Sequence, residues 1–333
     1  MKKYLYEGGN VFKDANVGKI KKENIEPTIE KFIEEMTRIF PAAAEDLRSY
    51  QTLGSVGKKP ESGDIDLTID VSRIISENGP EFSKWDINPA DYESIRKSIE
   101  SRAKTASPQQ IQLNAMLKMI ADKIENKTNV MSIDTKSTGG GSLHFLFPQF
   151  SPEGVPLDPP LNVQLDLMVG NQKWLAFSYY SDVYNDDDNI VKGLHRTQLM
   201  LAIFAHKGYT FAHGSGVKNK ETNEVVATTP EQAIDLLNDL YGFNMTPEIL
   251  QNYFKLRPFL EENLSTEDYN GIIDRYLKIL DSTRADIPKD LQQYWIKNQE
   301  KLGLKGKFLP DDSKLKRYKK LQEVIKLVLR KII

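Results

Sequence analysis

Asp64 and Asp66 stand two residues apart in a run of alternating polar and apolar side chains, with Gly54-Ser55 and Lys58-Lys59 just upstream. In a strand, alternate residues share a face, so the two carboxylates project together while Ile65 and Leu67 face a core. Carboxylates held side by side repel unless something positive lies between them. Magnesium fills that role, because it prefers oxygen ligands and keeps open positions for phosphate and water. The acids therefore ask for a metal. The Gly-Ser pair asks for a phosphate.

A second strand-like run, residues 161–169, has Asp166 as its only acid. If the two strands are neighbours, Asp64, Asp66 and Asp166 form a cluster able to hold two Mg2+ ions, with Mn2+ able to substitute. Such a pair clamps the attacking and leaving oxygens of an in-line displacement at phosphorus. Alternating acids alone are common on exposed strands. A Gly-Ser turn, a basic loop, Ser62-Gly63-Asp64-Ile65-Asp66 and a later single acid form a far more specific combination.

That order, Gly-Ser, then Asp-x-Asp, then one Asp on a later strand, resembles the nucleotidyltransferase superfamily of DNA polymerase beta. The stretch after Asp166 is similar in order to the thumb of family X polymerases. It has an apolar aromatic segment, a helix ending in a basic-Gly turn at Lys207-Gly208, a small hairpin, and a helix opened by Thr229-Pro230-Glu231. The resemblance covers roughly residues 45–72 and 160–243. It implies an α+β fold: a palm with a mixed or antiparallel sheet and helices on one face, a thumb-like α/β segment, and a helical C-terminal region. The divisions are 1–175, 176–244 and 245–333. Three departures stand out. Lys58-Lys59 replaces the usual arginines, Gln164 replaces an arginine two residues before Asp166, and Tyr179-Tyr180-Ser181-Asp182 lacks the glycine of the family's turn. The first 50 residues show no helix-hairpin-helix pattern, so templated gap filling is not implied. The opening at residues 7–12 resembles bacteriophage nucleotidyltransferase-like proteins.

The resemblance implies transfer of a nucleoside monophosphate from an NTP or dNTP to an acceptor hydroxyl, with pyrophosphate released. Asp64, Asp66 and Asp166 would ligand the metals, and Asp166 could also take the acceptor's proton. Gly54 and Ser55 would meet the triphosphate, and Lys58 or Lys59 would neutralise charge on the leaving pyrophosphate. Tyr179, Tyr180 or Lys192 would touch base or sugar. The leading acceptor is a nucleic-acid 3′ end. The alternatives are a small-molecule-, tRNA- or protein-directed transferase, as in resistance enzymes and toxins, or a non-catalytic nucleotide- or RNA-binding module.

The elements that must position these groups are partly legible. Ile29, Phe32, Ile33, Met36 and Phe40 make one stripe of a helix over 24–40, with Asn24 as its cap, Pro27 in its first turn and Pro41 as its stop. Residues 64–71 alternate cleanly as a strand. Asp70 shares the acids' face but lies about 13 Å beyond Asp66. Leu113, Met116, Leu117, Ile120 and Ile124 fall at helical spacing. The three glycines at 139–141 read as a hairpin turn into a strand at 143–147, with phosphate contact the lesser alternative. His144, alternating with apolar neighbours, reads as a sheet-face residue rather than a general base. Adjacent acids at 186–188 diverge, which suits a solvated loop. A helix over 194–207 is followed by two short β segments, 209–211 and 224–227, and a helix opened by Thr229 and Pro230.

At 333 residues the chain has room for two domains, or one domain with a sizeable appendage, and 28% charged against 39% hydrophobic residues suits a soluble globular protein. With no cysteine, disulfides and thiol chemistry are excluded. The first residues lack an apolar signal core and no run approaches a membrane span, so a cytoplasmic protein, or one acting in a phage host's cytoplasm, is expected. Net charge is only -2, yet residues 301–333 hold eleven Lys or Arg against three acids. This basic stretch can bind phosphate backbones or form an ordinary solvated helix face over 313–333.

Overall fold

A computed structural model describes residues 11–12, 16–103, 106–135, 140–181, 193–283 and 285–304. Lys192, the acids at 186–188, the opening at 7–10 and the helix expected over 313–333 lie outside these residues. The described chain is mixed α+β, with several small sheets. None of its helices is long and apolar enough to cross a membrane.

The largest sheet has five strands in the order Gln51–Thr52, Asp64–Asp70, Asn162–Gly170, Ser142–Pro148 and Ser132–Ile133. Asp64–Asp70 and Asn162–Gly170 run parallel, and every other pairing is antiparallel. Side-chain alternation explains why this sheet is one-sided. Ile65, Leu67, Ile69, Leu143, Phe145, Phe147, Val163, Leu165, Leu167 and Val169 are all buried. They share one core with Ile29, Phe32 and Met36 of helix Lys22–Ile39 and with Met116, Leu117 and Ile120 of helix Pro108–Lys127. Phe32 meets Phe145 and Phe147 edge-on, at 4.9 and 5.5 Å between ring centroids. The even-numbered positions, where the acids lie, face the other way.

Helix Lys22–Ile39 begins two residues before its expected start, and Asn24 is buried inside its first turn rather than capping it. The start is set by backbone pairing. Ile20–Lys21 pairs with Glu61–Ser62, and the Lys22 N–H donates to the Pro60 carbonyl at 2.9 Å. Pro27 is then tolerated inside the helix because it forfeits only the bond to the Glu23 carbonyl. A second difference lies at 209–227. The three-stranded sheet there has a middle strand, Gly216–Asn219, between Tyr209–Ala212 and Val225–Ala227. Gly216 has φ +100°, and a Cβ there would stand 2.1 Å from the Ala227 carbonyl oxygen. Its glycine marks a close strand crossing, not a loop.

A second core draws on Trp174, Phe177, Leu199, Ile203, Phe204, Phe211, Leu237, Tyr253, Ile273, Tyr276 and Trp295, passing without interruption through the 244/245 junction. Helix Gly193–His206 lies within it, packed on Thr266–Thr283. Replacing Phe32, fully buried against two rings, should test how far the first core depends on this face. Phe32→Ala is expected to cost about 3–5 kcal/mol in urea unfolding followed by circular dichroism. An unchanged midpoint would contradict the packing described.

Candidate active site

Strand register assembles the site. In the parallel pair, Asp66 lies opposite Asp166 and Asp64 opposite Gln164. In the antiparallel pair on the other side, His144 lies opposite Asp166. Paired strands are about 4.8 Å apart, so the three acids, Gln164 and His144 occupy one patch of the sheet's even-numbered face.

The electrostatics follow from that crowding. Burial first, then the charges of Asp64 and Asp166, push the Asp66 carboxyl well above the ordinary 3.8. Asp64 is raised as well, by burial and then by Asp166. Asp166 is held differently. Gln164 Nε2 donates to both its oxygens at 3.1 Å, and His144 Nδ1 lies 2.8 Å from Oδ1. Burial works against a charge on His144, but the hydrogen bond and charge of Asp166, helped by Asp134, outweigh it and raise the imidazole above 6.5.

Among the described residues, no three His, Asp or Glu side chains converge as a ready metal-holding group. Asp166 is engaged by Gln164 and His144 instead. The donor chemistry nonetheless fits Mg2+: three hard carboxylates lie on one face, and in two of them burial, then the neighbouring carboxylates, raises the cost of ionisation that a bound cation would offset. Asp64, Asp66 and the remaining lone pair on Asp166 Oδ2 would be its ligands.

The Gly54 turn is built against Asp66. Leu53 N–H donates to the Asp66 carbonyl at 2.9 Å, and Gly54 follows at φ +61°. A Cβ on Gly54 would lie 3.4 Å from Asp66 Oδ2 and 4.0 Å from the Tyr179 carbonyl oxygen. Only glycine reaches this left-handed conformation without strain. Lys58 Nζ donates to the Ser181 carbonyl at 2.6 Å and lies 4.8 Å from the Tyr180 ring centroid. The turn thus sets Gly54 between the Asp66 carboxylate and the Tyr179 carbonyl, while Lys58 engages the Ser181 carbonyl and the Tyr180 ring. Ser55 and Lys59 belong to the same segment, and their side chains make no hydrogen bond or ion pair among the described residues.

The tyrosines are positioned from the second core. They follow helix Gln172–Ser178, whose last carbonyls, those of Phe177 and Ser178, accept from the buried Arg196 guanidinium at 2.6 and 3.2 Å. His213 backs the Tyr179 ring at 5.0 Å, and burial, then the Arg196 charge, depress its imidazole to about 4. Asp70 stands apart as a local cap. One oxygen accepts from Ser72 N–H and Oγ, and the other from Gln172 N–H.

His144 belongs to the acid patch, a placement that sequence reasoning missed. The available signal was parity: with Leu143, Phe145 and Phe147 in the core, Ser142 and His144 must face away from it. Arg196 and His213 gave no signal, since their roles depend on packing between distant segments. The chain matches no protein-family model, and no curated protein matches it.

Because Asp66 and Asp64 hold protons more tightly folded than unfolded, their contribution to stability is neutral at low pH. It becomes a destabilisation as pH rises from 3.8 through the raised folded values. At pH 8 without metal, Asp66→Asn should therefore melt above the wild type, with the gap closing as pH falls. Mg2+ should raise the wild-type melting temperature more than the variant's. A variant that melts lower than wild type, or an equal response to Mg2+, would contradict the assignment.

Proposed function

We propose that this chain is a magnesium-dependent nucleotidyltransferase related to the DNA polymerase beta superfamily. It would move a nucleoside monophosphate from an NTP or dNTP to an acceptor hydroxyl. The observation that carries this reading is the direct opposition of Asp66 and Asp166 in a parallel pair, with the Gly54 turn packed on the Asp66 carboxylate. In this reading the five-stranded sheet is the palm and residues 176–244 the thumb-like segment.

The chain's own groups divide the work. Gly54 and Ser55 hold the triphosphate through backbone N–H groups and a hydroxyl. The acceptor hydroxyl gives up its proton to solvent as its oxygen bonds to the α-phosphorus. The bond from the α-phosphorus to the bridging oxygen breaks, and the electron pair leaves on pyrophosphate. Lys58 or Lys59 offsets that charge. Tyr179 and Tyr180 wall the nucleotide's side of the turn. Mg2+, when bound to Asp64, Asp66 and Asp166, supplies charge neutralisation and a more acidic acceptor hydroxyl.

A nucleic-acid 3′ end is the acceptor this reading favours, from the net +8 of residues 301–333. The test is incubation with each labelled NTP and dNTP, Mg2+ and, in turn, single-stranded DNA, primed DNA, tRNA and protein. Lengthened nucleic acid is expected, reduced about a hundred- to a thousandfold in Asp66→Asn. Label on protein, or on none of these acceptors, would move the acceptor to a protein or a small molecule. Turnover by Asp66→Asn equal to wild type would overturn the mechanism.

A further inference from the structure

Asp166 is the most constrained carboxylate of the three. Its restraint forms a chain of hydrogen bonds that begins and ends outside the acids. Val11 N–H donates to Gln164 Oε1 at 2.9 Å. That contact fixes which end of the amide faces Asp166, because flipping it would set Oε1 against a carboxylate and the NH2 against a donor. Gln164 Nε2 then spans both Asp166 oxygens at 3.1 Å. From the neighbouring strand, His144 Nδ1 meets Oδ1 at 2.8 Å, and Ser142 Oγ lies 3.2 Å from His144 Nε2. An ionised carboxylate only accepts, so Nδ1 carries the hydrogen and Ser142 holds the far side of the ring. With the His144 and Asp166 side chains 17% and 11% exposed, water competes little for these bonds.

We propose that Gln164 and His144 are positioning residues that preset the Asp166 carboxylate for a divalent cation, each locked in turn by Val11 and Ser142. The inference rests on the metal-dependent reading above. Two donors, one from Asp166's own strand and one from the neighbouring strand, restrict rotation of the carboxyl plane while leaving a lone pair on Oδ2. Asp64 and Asp66 have no such pair of side-chain donors among the described residues. Asp166 is therefore the fixed ligand, and the other two adjust to it. Partners of this kind around a metal ligand commonly change affinity tenfold or more.

Titration with Mn2+ alone, followed by the electron paramagnetic resonance of the free ion, tests this without turnover. Binding in His144→Ala and in the near-isosteric Gln164→Met is expected to weaken about tenfold each. His144→Asn, which keeps a donor near the Nδ1 position, should recover most of the loss. Far-UV circular dichroism identifies variants that fold, and the Gln164 and His144→Asn proteins decide the matter if His144→Ala does not. Affinity that falls in Asp66→Asn but is unchanged in His144→Ala and Gln164→Met overturns the clamp and leaves the nucleotidyl-transfer reading standing. Affinity that ignores Asp66→Asn as well overturns the metal site itself, and the clamp with it.

Discussion

Asp66 and Asp166 face each other across a parallel strand pair, with Asp64 one pleat away on the same side of the sheet. Ionising Asp64 and Asp66 is costly, most at Asp66, where burial is the larger cause and the neighbouring carboxylates add to it. Nothing in the fold of the sheet requires this crowding. Apolar or neutral residues at the same positions would pair as well, and charges placed directly opposite one another weaken a pair. What holds the acids together is the register, and what holds the register is the opposite face. Ile65, Leu67, Leu165 and Leu167 are buried, and a slip by one residue would carry them to the surface and the acids into the core. The apolar packing thus supplies the free energy that keeps an unfavourable charge arrangement in place.

The second core extends the same arrangement. Arg196 is buried inside it, and its guanidinium binds the closing carbonyls of helix Gln172–Ser178. Its Nε and one terminal nitrogen donate to the Leu250, Phe177 and Ser178 carbonyls, and these bonds offset part of the cost of burying the charge. The consequence is a fixed exit for the chain into Tyr179, Tyr180 and Ser181, where Lys58 reaches across to the Ser181 carbonyl. Gly54, lying between Asp66 and the Tyr179 carbonyl, joins the two cores at the acids. Helix Gln172–Ser178 also returns contacts to the first sheet, since Gln172 binds the carbonyls of Ser49 and Thr68.

Much of this was legible in the sequence because it depends on period. The two-residue alternation of 64–70 fixed which side the acids take, and Asp166 on a second apolar run indicated a neighbouring strand. The helices at 22–39 and 108–127 showed their stripes for the same reason. What was not legible depends on contacts between distant segments. Asn24 has the chemistry of a cap, but pairing of Ile20–Lys21 with Glu61–Ser62 sets the helix start. Gly216 and Lys218 resemble loop residues, yet sheet pairing makes them a strand. His144 needed the strand order to be counted among the acids, and Gln164 needed Val11 to settle which way its amide points.

If the acids form one site, they should be joined by a shared ligand. Crystals soaked with Mn2+ and an NTP analogue blocked at the α–β bridge, measured at the manganese absorption edge, ask this most directly. The account predicts anomalous density bounded by Asp64, Asp66 and Asp166, with the triphosphate against the Gly54-Ser55 turn. Density elsewhere, or a triphosphate bound away from that turn with the acids unligated, would contradict it.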